Sequence, residues 1–368
     1  MTLSRRAFIS ATVAPLAGCA MRSARLATPA SSRRLARVQV SEERVIRVIT
    51  GLRPYRPSGF VVRGEKIGGK LLIHNYGHGG AGITLSWGTA HLAIAEGMKS
   101  GIRDCAVIGC GVVGLSTARL LQEAGLQPVI YTKEQPPDTT SNVAGGYWSP
   151  VTLYELDRVT PQFRAQFNEA AHFAHRRYQS FAGEDYGVHW RTIYRLGDQP
   201  YAAPPATSPM SDLADLFEGH VLGPEENPFA GANARREHSM LIEPAIYLNA
   251  LRRDFLIAGG KIQIRDLASA QEIALLPENL IFNCTGLGAR ALFQDAELTP
   301  VKGQLVFLLP QLEIDYCTLG PGDIYMFPRR DGILLGGSHD SGVWDLTPDP
   351  AVTARILREN AALFSSMA

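Results

Sequence analysis

Residues 104–134 constrain the fold more tightly than any other part of the chain. Cys105-Ala106-Val107-Ile108 is a short, wholly apolar run of the kind that makes a strand buried on both faces. Gly109-Cys110-Gly111-Val112-Val113-Gly114 follows at once, residues 115–123 read as a helix, Gly125 stops it, and Pro128-Val129-Ile130-Tyr131 begins a second strand. Strand, glycine turn, helix and strand together make the unit that binds a dinucleotide. Its glycines permit a tight turn, close approach of backbone to a pyrophosphate and close helix packing, while the helix N-terminus favours the negative phosphates. An acid for the adenosine ribose belongs where the second strand ends. Glu134, one place beyond the simplest position, is the candidate. Thr139, Thr140 and Ser141 then supply turn-forming hydroxyls, and Val143-Ala144-Gly145-Gly146 supplies backbone for close ligand approach.

Such a unit usually opens a protein, yet about a hundred residues precede it here. Among them is His74-Asn75-Tyr76-Gly77-His78-Gly79-Gly80-Ala81-Gly82-Ile83-Thr84. Four glycines in the six positions 77–82 exclude a stable helix interior. His74 and His78 have the spacing of helical zinc ligands, but without a helix that spacing does not put them on one face, and no metal site is expected. The natural use of this segment is a cradle of backbone N–H groups beside a ligand, leading into a helix over residues 84–97. Further on, helices and strands alternate: residues 247–258 are amphipathic, while residues 280–286, 303–309 and 332–337 read as strands. Residues 195–235, rich in Pro and polar groups, read as loops, and no internal repeat is present. With 368 residues, 45% of them hydrophobic and 19% charged, the chain can bury a large core.

A net charge of +1 argues against a general nucleic-acid binder, but it conceals a split. Residues 1–40 hold seven of the 36 basic residues, all Arg, and no acid, leaving 29 basic against 35 acidic residues, a net of −6, on the rest. The start has a charged head, Arg5-Arg6 followed by Phe8, and a short apolar run to Ala17, too short to span a bilayer. It resembles the bacterial twin-arginine signal, whose export machinery carries folded proteins. Leu16-Ala17-Gly18-Cys19 resembles a lipoprotein box, with lipid on Cys19; the alternative is cleavage after Ala20 or Ala30 and a soluble product. The five Arg from Arg22 to Arg37 supply a second, electrostatic membrane signal or a solvated linker. The expected location is the periplasmic side of a bacterial membrane. Five Cys make no disulfide framework, and Cys105, Cys110 and Cys284 read as small buried hydrophobes.

Taken together, the motifs resemble the D-amino acid oxidase family of flavoproteins over almost all of residues 45–368. Residues 109–118 are similar to its FAD fingerprint and residues 139–148 to its flavin-contacting loop. Asn283-Cys284-Thr285-Gly286 is similar to a strand end near the cofactor, and Val301-Lys302-Gly303-Gln304 to a following strand. The most specific likeness is that of residues 74–84 to a signature loop at the flavin, so Gly77, Gly79, Gly80, Gly82, Ile83 and Thr84 join Gly109, Gly111, Val112, Val113, Gly114, Glu134, Thr139, Thr140, Ser141, Ala144, Gly145 and Gly146 as implied cofactor contacts. The implied fold is α/β, a Rossmann-like FAD-binding domain with a second, mixed-sheet substrate domain. The expected boundaries are an export signal at 1–19 and an Arg-rich linker at 20–44. A substrate domain then takes 45–56, 151–241 and 301–368, and the FAD-binding domain takes 57–150 and 242–300. The order departs from the family: the segment matching Thr50-Gly51-Leu52-Arg53-Pro54-Tyr55-Arg56-Pro57 and the His74 loop come last there and first here. The helix over residues 350–364, which normally precedes them, ends this chain. This looks like a circular permutation, with old termini joined near residues 97–104 and new ones opened before residue 45.

The resemblance implies that a D-amino acid gives its α-hydrogen as hydride to the flavin, that oxygen takes the electrons to form peroxide, and that water hydrolyses the imino acid to a 2-oxo acid and ammonia. It assigns Arg53, in Gly-Leu-Arg-Pro, to the substrate carboxylate, where a guanidinium fork makes two parallel hydrogen bonds. Tyr325 would add its hydroxyl to the same carboxylate, and the Gly80 carbonyl would accept from the amine. Pro321 stands where some members carry a second active-site Tyr, and Ser149 where acid-specific relatives carry a basic residue, which favours a neutral substrate side chain. Ser338, His339 and Asp340 are consecutive and cannot converge as a hydrolase triad. Expected partners are the D-amino acid, O2 and the export machinery; self-association is compatible with the sequence. Two alternatives stand beside the oxidase: a dehydrogenase passing electrons to a membrane quinone, and a non-catalytic flavin-binding protein.

Overall fold

Short, largely apolar runs make strands that are covered on both faces, and two of them, Cys105–Ile108 and Leu280–Asn283, lie side by side at the centre of one sheet. This computed structural model describes residues 35–367. The twin-arginine pair, the box at Cys19 and the arginines from Arg22 to Arg34 lie outside the described residues. The described chain lays down β1 (Val45–Tyr55), β2 (Val61–Ile67) and β3 (Lys70–Tyr76) before helix α1 (Gly82–Met98). β4 (Cys105–Ile108), α2 (Val112–Glu123) and β5 (Val129–Thr132) follow, then α3 (Pro161–Gln179). Next come β6 (Val188–Gly197), β7 (Gly219–Val221), β8 (Asn233–Ile242) and α4 (Pro244–Ile257). β9 (Lys261–Ile264), α5 (Ala270–Ala274), β10 (Leu280–Asn283) and α6 (Gly288–Leu292) complete the middle of the chain. The last part is β11 (Thr299–Leu308), β12 (Tyr316–Leu319), β13 (Tyr325–Arg329), β14 (Gly332–Gly336), β15 (Asp340–Ser341) and α7 (Pro350–Ser365).

Among the described residues these strands form two sheets. One has six strands in the order β2-β3-β10-β4-β5-β9, parallel throughout except where β2 pairs with β3. Parallel neighbours need a crossover, and α2 supplies it between β4 and β5. The other sheet has nine strands in the order β1-β11-β14-β13-β12-β6-β8-β7, with β15 beside β11; only β12 with β6 is parallel. The expected α/β class therefore holds, with a Rossmann-like parallel sheet and a mixed one. Among the described residues no helix is long and apolar enough to cross a membrane.

Several local readings need correction. α2 begins at Val112, because Gly111 takes the extended N-cap conformation and both valines enter the first turn. α1 likewise begins at Gly82, two residues before the expected start. Residues 195–235 are not all loop: they hold the end of β6, a 3-10 turn at Pro209–Leu216, β7 and the start of β8. Local composition hides the β6–β8 ladder, which runs from Val188↔Ile242 to Gly197↔Asn233. The linker drawn at 20–44 also stops short. Val38 is only 4% exposed, Tyr316 donates to the Ala36 carbonyl at 2.8 Å, and Gln39 N–H donates to Gln311 at 2.7 Å, so residues from 35 onward belong to the body. Arg37, counted with the tether, donates to the carbonyl of Met367.

Candidate active site

One cavity of about 800 Å³ joins the carboxyl ends of β4, β5, β9 and β10 to the mixed sheet. Ligands of open α/β sheets bind at such strand ends, and the volume lies in the upper range of ligand pockets, roughly 300–1,000 Å³. At the parallel sheet, Gly109 has φ +103°, a value that leaves the strand sharply and excludes a side chain; a Cβ there would stand 2.5 Å from the Cys284 carbonyl oxygen. Gly111, Val112 and Val113 line the cavity at the start of α2. The first turn carries no acid and its N-cap makes no side-chain bond, so the positive end of the helix dipole faces the space. Ser141 Oγ accepts from the Val112 N–H at 3.0 Å. Thr139, Thr140, Ala144, Gly145 and Gly146 continue the wall, as does Glu134 beyond β5.

The loop after β3 forms the opposite side. Gly79, Gly80, Gly82, Ile83 and Thr84 all line the cavity. Gly80 N–H donates to the Thr152 carbonyl at 3.0 Å, which fastens this loop to the chain beyond Ser149. Gly77 and Gly114 do not line the space. Gly77 is the turn leaving β3, with φ +83°. Gly114 lets α2 meet the glycine turn, since a Cβ there would stand 2.0 Å from the Gly109 carbonyl oxygen. His74 and His78 have separate partners: His74 Nδ1 lies 3.0 Å from Asn283 Nδ2 and its Nε2 3.2 Å from Glu65, whereas His78 Nε2 lies 2.8 Å from Thr89 Oγ1. Burial lowers both imidazoles, His78 to about 3.

A dinucleotide fits what is there. Besides the glycine cradle, wholly buried Asn75 lines the cavity with its Oδ1 unpartnered, an acceptor that a ligand hydroxyl or N–H would satisfy. The cavity also uses residues that carry no motif: Arg265, Asp266, Leu267 and Ala268 beyond β9, and Leu287, Ala291 and Leu292 at α6.

At the mixed sheet, Arg53 on β1 and Tyr325 on β13 meet. Arg53 Nη1 donates to the Ser338 carbonyl at 3.0 Å, and among the described residues no carboxylate lies within ion-pair reach of its guanidinium. Burial raises the Tyr325 hydroxyl, and the neighbouring Arg53 guanidinium offsets part of that rise, so the phenol stays protonated near neutral pH. Phe327, Leu305 and Leu319 make an apolar floor beside this pair, and Tyr147, Ser149 and His339 complete the surround. His339 Nδ1 lies 3.0 Å from Asp323, while Ser338 Oγ donates to Asp340 at 2.9 Å, so the imidazole stands apart from the serine–aspartate pair. Cys105, Cys110 and Cys284 are free and buried, and burial pushes their thiols up to about 12, which removes any thiolate near neutral pH.

The sequence profile of the family described as FAD dependent oxidoreductase matches residues 23–96 and 104–368. A D-amino-acid oxidase from Rubrobacter xylanophilus is 30% identical over 262 residues, covering 70% of this chain and 76% of that protein. A D-amino-acid oxidase from Streptomyces coelicolor is 31% identical over 264 residues, covering 71% and 77%. The solved structure of iminodiacetate oxidase from Chelativorans sp. BNC1 shares the fold, with a TM-score of 0.53 and 16% identity over 71% of this chain and 79% of that one. With the profile spanning nearly all of the chain and both oxidases matched over three quarters of their length, the chain belongs to the FAD-dependent oxidoreductase family and is homologous to D-amino-acid oxidases.

Proposed function

We propose that the protein oxidises D-amino acids to 2-oxo acids, with ammonia and hydrogen peroxide as the other products. Arg53 is the observation that carries this reading. Its guanidinium is held by a backbone carbonyl, stands beside a tyrosine hydroxyl, and finds no carboxylate of the described residues to pair with. An unpaired cation at the apolar end of a dinucleotide cavity calls for an anion, and its planar fork suits a carboxylate. The D-configuration and the amino group are taken from the relatives, two of which are named D-amino-acid oxidases.

The Gly109–Gly111 turn, the start of α2, residues 139–146 and the loop of residues 79–84 would hold FAD, which would supply the acceptor for the two electrons of the C–N oxidation. Arg53 and the Tyr325 hydroxyl donate to the substrate carboxylate and fix its orientation. The Gly80 backbone accepts from the amine. Leu305, Leu319 and Phe327 keep water from the fork, which strengthens its pairing with the carboxylate. Ser149, a small neutral residue on the cavity wall, suits a neutral side chain.

In air, D-alanine is expected to give one peroxide per 2-oxo acid, and L-alanine none. A flavin-loaded protein inert to every D-amino acid would refute the proposal, and a quinone that takes over the electrons in air would establish the dehydrogenase instead. We also propose that the segment order is a circular permutation. Two features support it: Arg37 reaches the Met367 carbonyl, so the ends of the described chain lie together, and the connection from α1 to β4 is short and largely exposed.

A further inference from the structure

We infer that Tyr147, pinned by the buried carboxylate of Glu237, fixes the size and polarity of the compartment that receives the substrate side chain. The inference rests on the proposed D-amino acid reaction and adds the residues that select among its substrates.

The backbone around Tyr147 is fastened to β8 on both sides: Ile242 N–H donates to the Gly146 carbonyl at 2.8 Å, and Trp148 N–H to the Met240 carbonyl at 2.9 Å. The ring lines the cavity 5.7 Å from that of Phe327, which stacks at 4.8 Å and 22° on Tyr325. Three aromatic rings therefore run in a row from Tyr147 to the hydroxyl beside Arg53. A substrate whose carboxylate sits on Arg53 extends its side chain over this row.

The far end of Tyr147 is costly to build. Its hydroxyl donates to Glu237 Oε1 at 3.0 Å, and Glu237 is 1% exposed. Arg195 Nη2 donates to the same oxygen at 2.9 Å, and Arg235 Nη1 lies 3.8 Å from the other. A buried carboxylate needs such compensation, and an apolar residue in its place would cover the floor at lower cost. What the carboxylate adds is direction: it holds the phenol in one orientation, so the space beside Phe327 cannot widen by a ring swing. The same bond uses up the hydroxyl proton, which leaves the compartment no donor from Tyr147. Small apolar side chains fit this space. Bulky ones meet the ring, and acidic ones gain no hydrogen bond from the Tyr147 hydroxyl.

The test uses the flavin-loaded protein and five variants: Tyr147→Leu, Tyr147→Phe, Glu237→Ala, Glu237→Gln, and Tyr147→Phe combined with Glu237→Ala. Calorimetry gives the Kd of pyruvate and phenylpyruvate, which carry the carboxylate and side chain but no α-hydrogen. Steady-state rates with D-alanine and D-phenylalanine split KM from kcat. Tyr147→Leu is expected to move the preference toward the bulky member of each pair by about tenfold, through Kd and KM. Tyr147→Phe and Glu237→Ala each move it the same way by about threefold, and together by no more than either alone, because they cut one link. Glu237→Gln, whose amide oxygen still accepts from the hydroxyl, stays near wild type. Ratios within twofold of wild type in Tyr147→Leu and Tyr147→Phe would overturn the inference. So would a shift in Tyr147→Leu with none in Glu237→Ala, which leaves the pin without a role. Should Glu237→Ala fail to fold, Tyr147→Phe cuts the same link from the other side. A wild type that neither binds 2-oxo acids nor is reduced by D-amino acids refutes the reaction itself, whereas an active wild type with unchanged ratios in the variants refutes only this inference.

Discussion

Gly303→Ala shifts the carboxylate site without removing any of its groups. In the β1–β11 ladder Gly51 faces Gly303 and Arg53 faces Val301, so Arg53 shares a sheet face with the bare position diagonal to it, and its guanidinium lies over Gly303. A Cβ on residue 303 would stand 2.5 Å from Nη1, 2.6 Å from Nη2 and 2.7 Å from Cζ. Comfortable contact begins near 3.5 Å, so the guanidinium has to move by about 1 Å. Its 3.0 Å bond to the Ser338 carbonyl then stretches to the limit of a hydrogen bond. The atoms that give way are the far end of a flexible side chain, so stability is expected to fall by only about 1 kcal/mol, at the low end for an overpacked site. A 1 Å misplacement of a substrate-orienting group costs about a hundredfold in rate, and kcat/KM for D-alanine is expected to fall by about that factor. Arg53→Ala, which removes the fork altogether, is the reference, with a loss of about 2 kcal/mol or more in binding. The assay pairs steady-state kinetics with a melting curve and the flavin-to-protein absorbance ratio. A folded, flavin-loaded Gly303→Ala protein with kcat/KM within twofold of wild type would refute the placement of the substrate carboxylate on Arg53.

Other outcomes follow from the same geometry. Gly114→Ala places a Cβ 2.0 Å from the backbone oxygen of Gly109, where nothing flexible can yield, and is expected to cost about 3 kcal/mol and most of the bound flavin; full flavin content would separate this helix from the cofactor site. His78 is held neutral by burial, with its pKa lowered to about 3. The unfolded chain therefore takes up a proton below about pH 6.5 that the native state refuses down to about pH 3. Stability contributed by this group is present above that window and is lost on acidification by up to about 1.4 kcal/mol per pH unit, so urea midpoints of His78→Gln should fall less steeply with pH than those of wild type. Joining residue 367 to residue 35 through a short linker and opening the chain between residues 99 and 103 restores the family's order. That protein is expected to fold, bind flavin and keep its activity, whereas an insoluble product would count against the permutation.

The strand–turn–helix unit was legible because every requirement in it is local: an apolar run, glycines at fixed offsets and an amphipathic helix. The loop of residues 77–84 was legible for the same reason, although the chain resumes helix at Gly82 as soon as the turn is complete. Arg53 and Tyr325 became a pair only through resemblance, since 272 positions separate them and no periodicity joins β1 to β13. The strip of residues 265–268 and the floor of Leu305, Leu319 and Phe327 were not legible at all, because short strands of similar composition give no sign of which neighbour they choose. Residues 35–40 were read with the arginine-rich arm because charge dominates that stretch. Burial of Val38 in the core cluster that also holds Ile356, Leu357 and Phe364 is a tertiary choice that composition does not carry. Tyr147 fell within residues 139–148, read only as a flavin-contacting loop, and its link to Glu237, 90 positions on, depends on the β6–β8 ladder.

The most direct test of the central claim is the visible spectrum of the purified protein, recorded anaerobically while D- and L-amino acids are added in turn. The flavin bands are expected to bleach with small neutral D-amino acids, to persist with their L-enantiomers, and to return when air is admitted. Bands that persist with every D-amino acid, or that bleach equally with both enantiomers, would contradict a site in which Arg53, Tyr325 and Gly80 hold one enantiomer for oxidation.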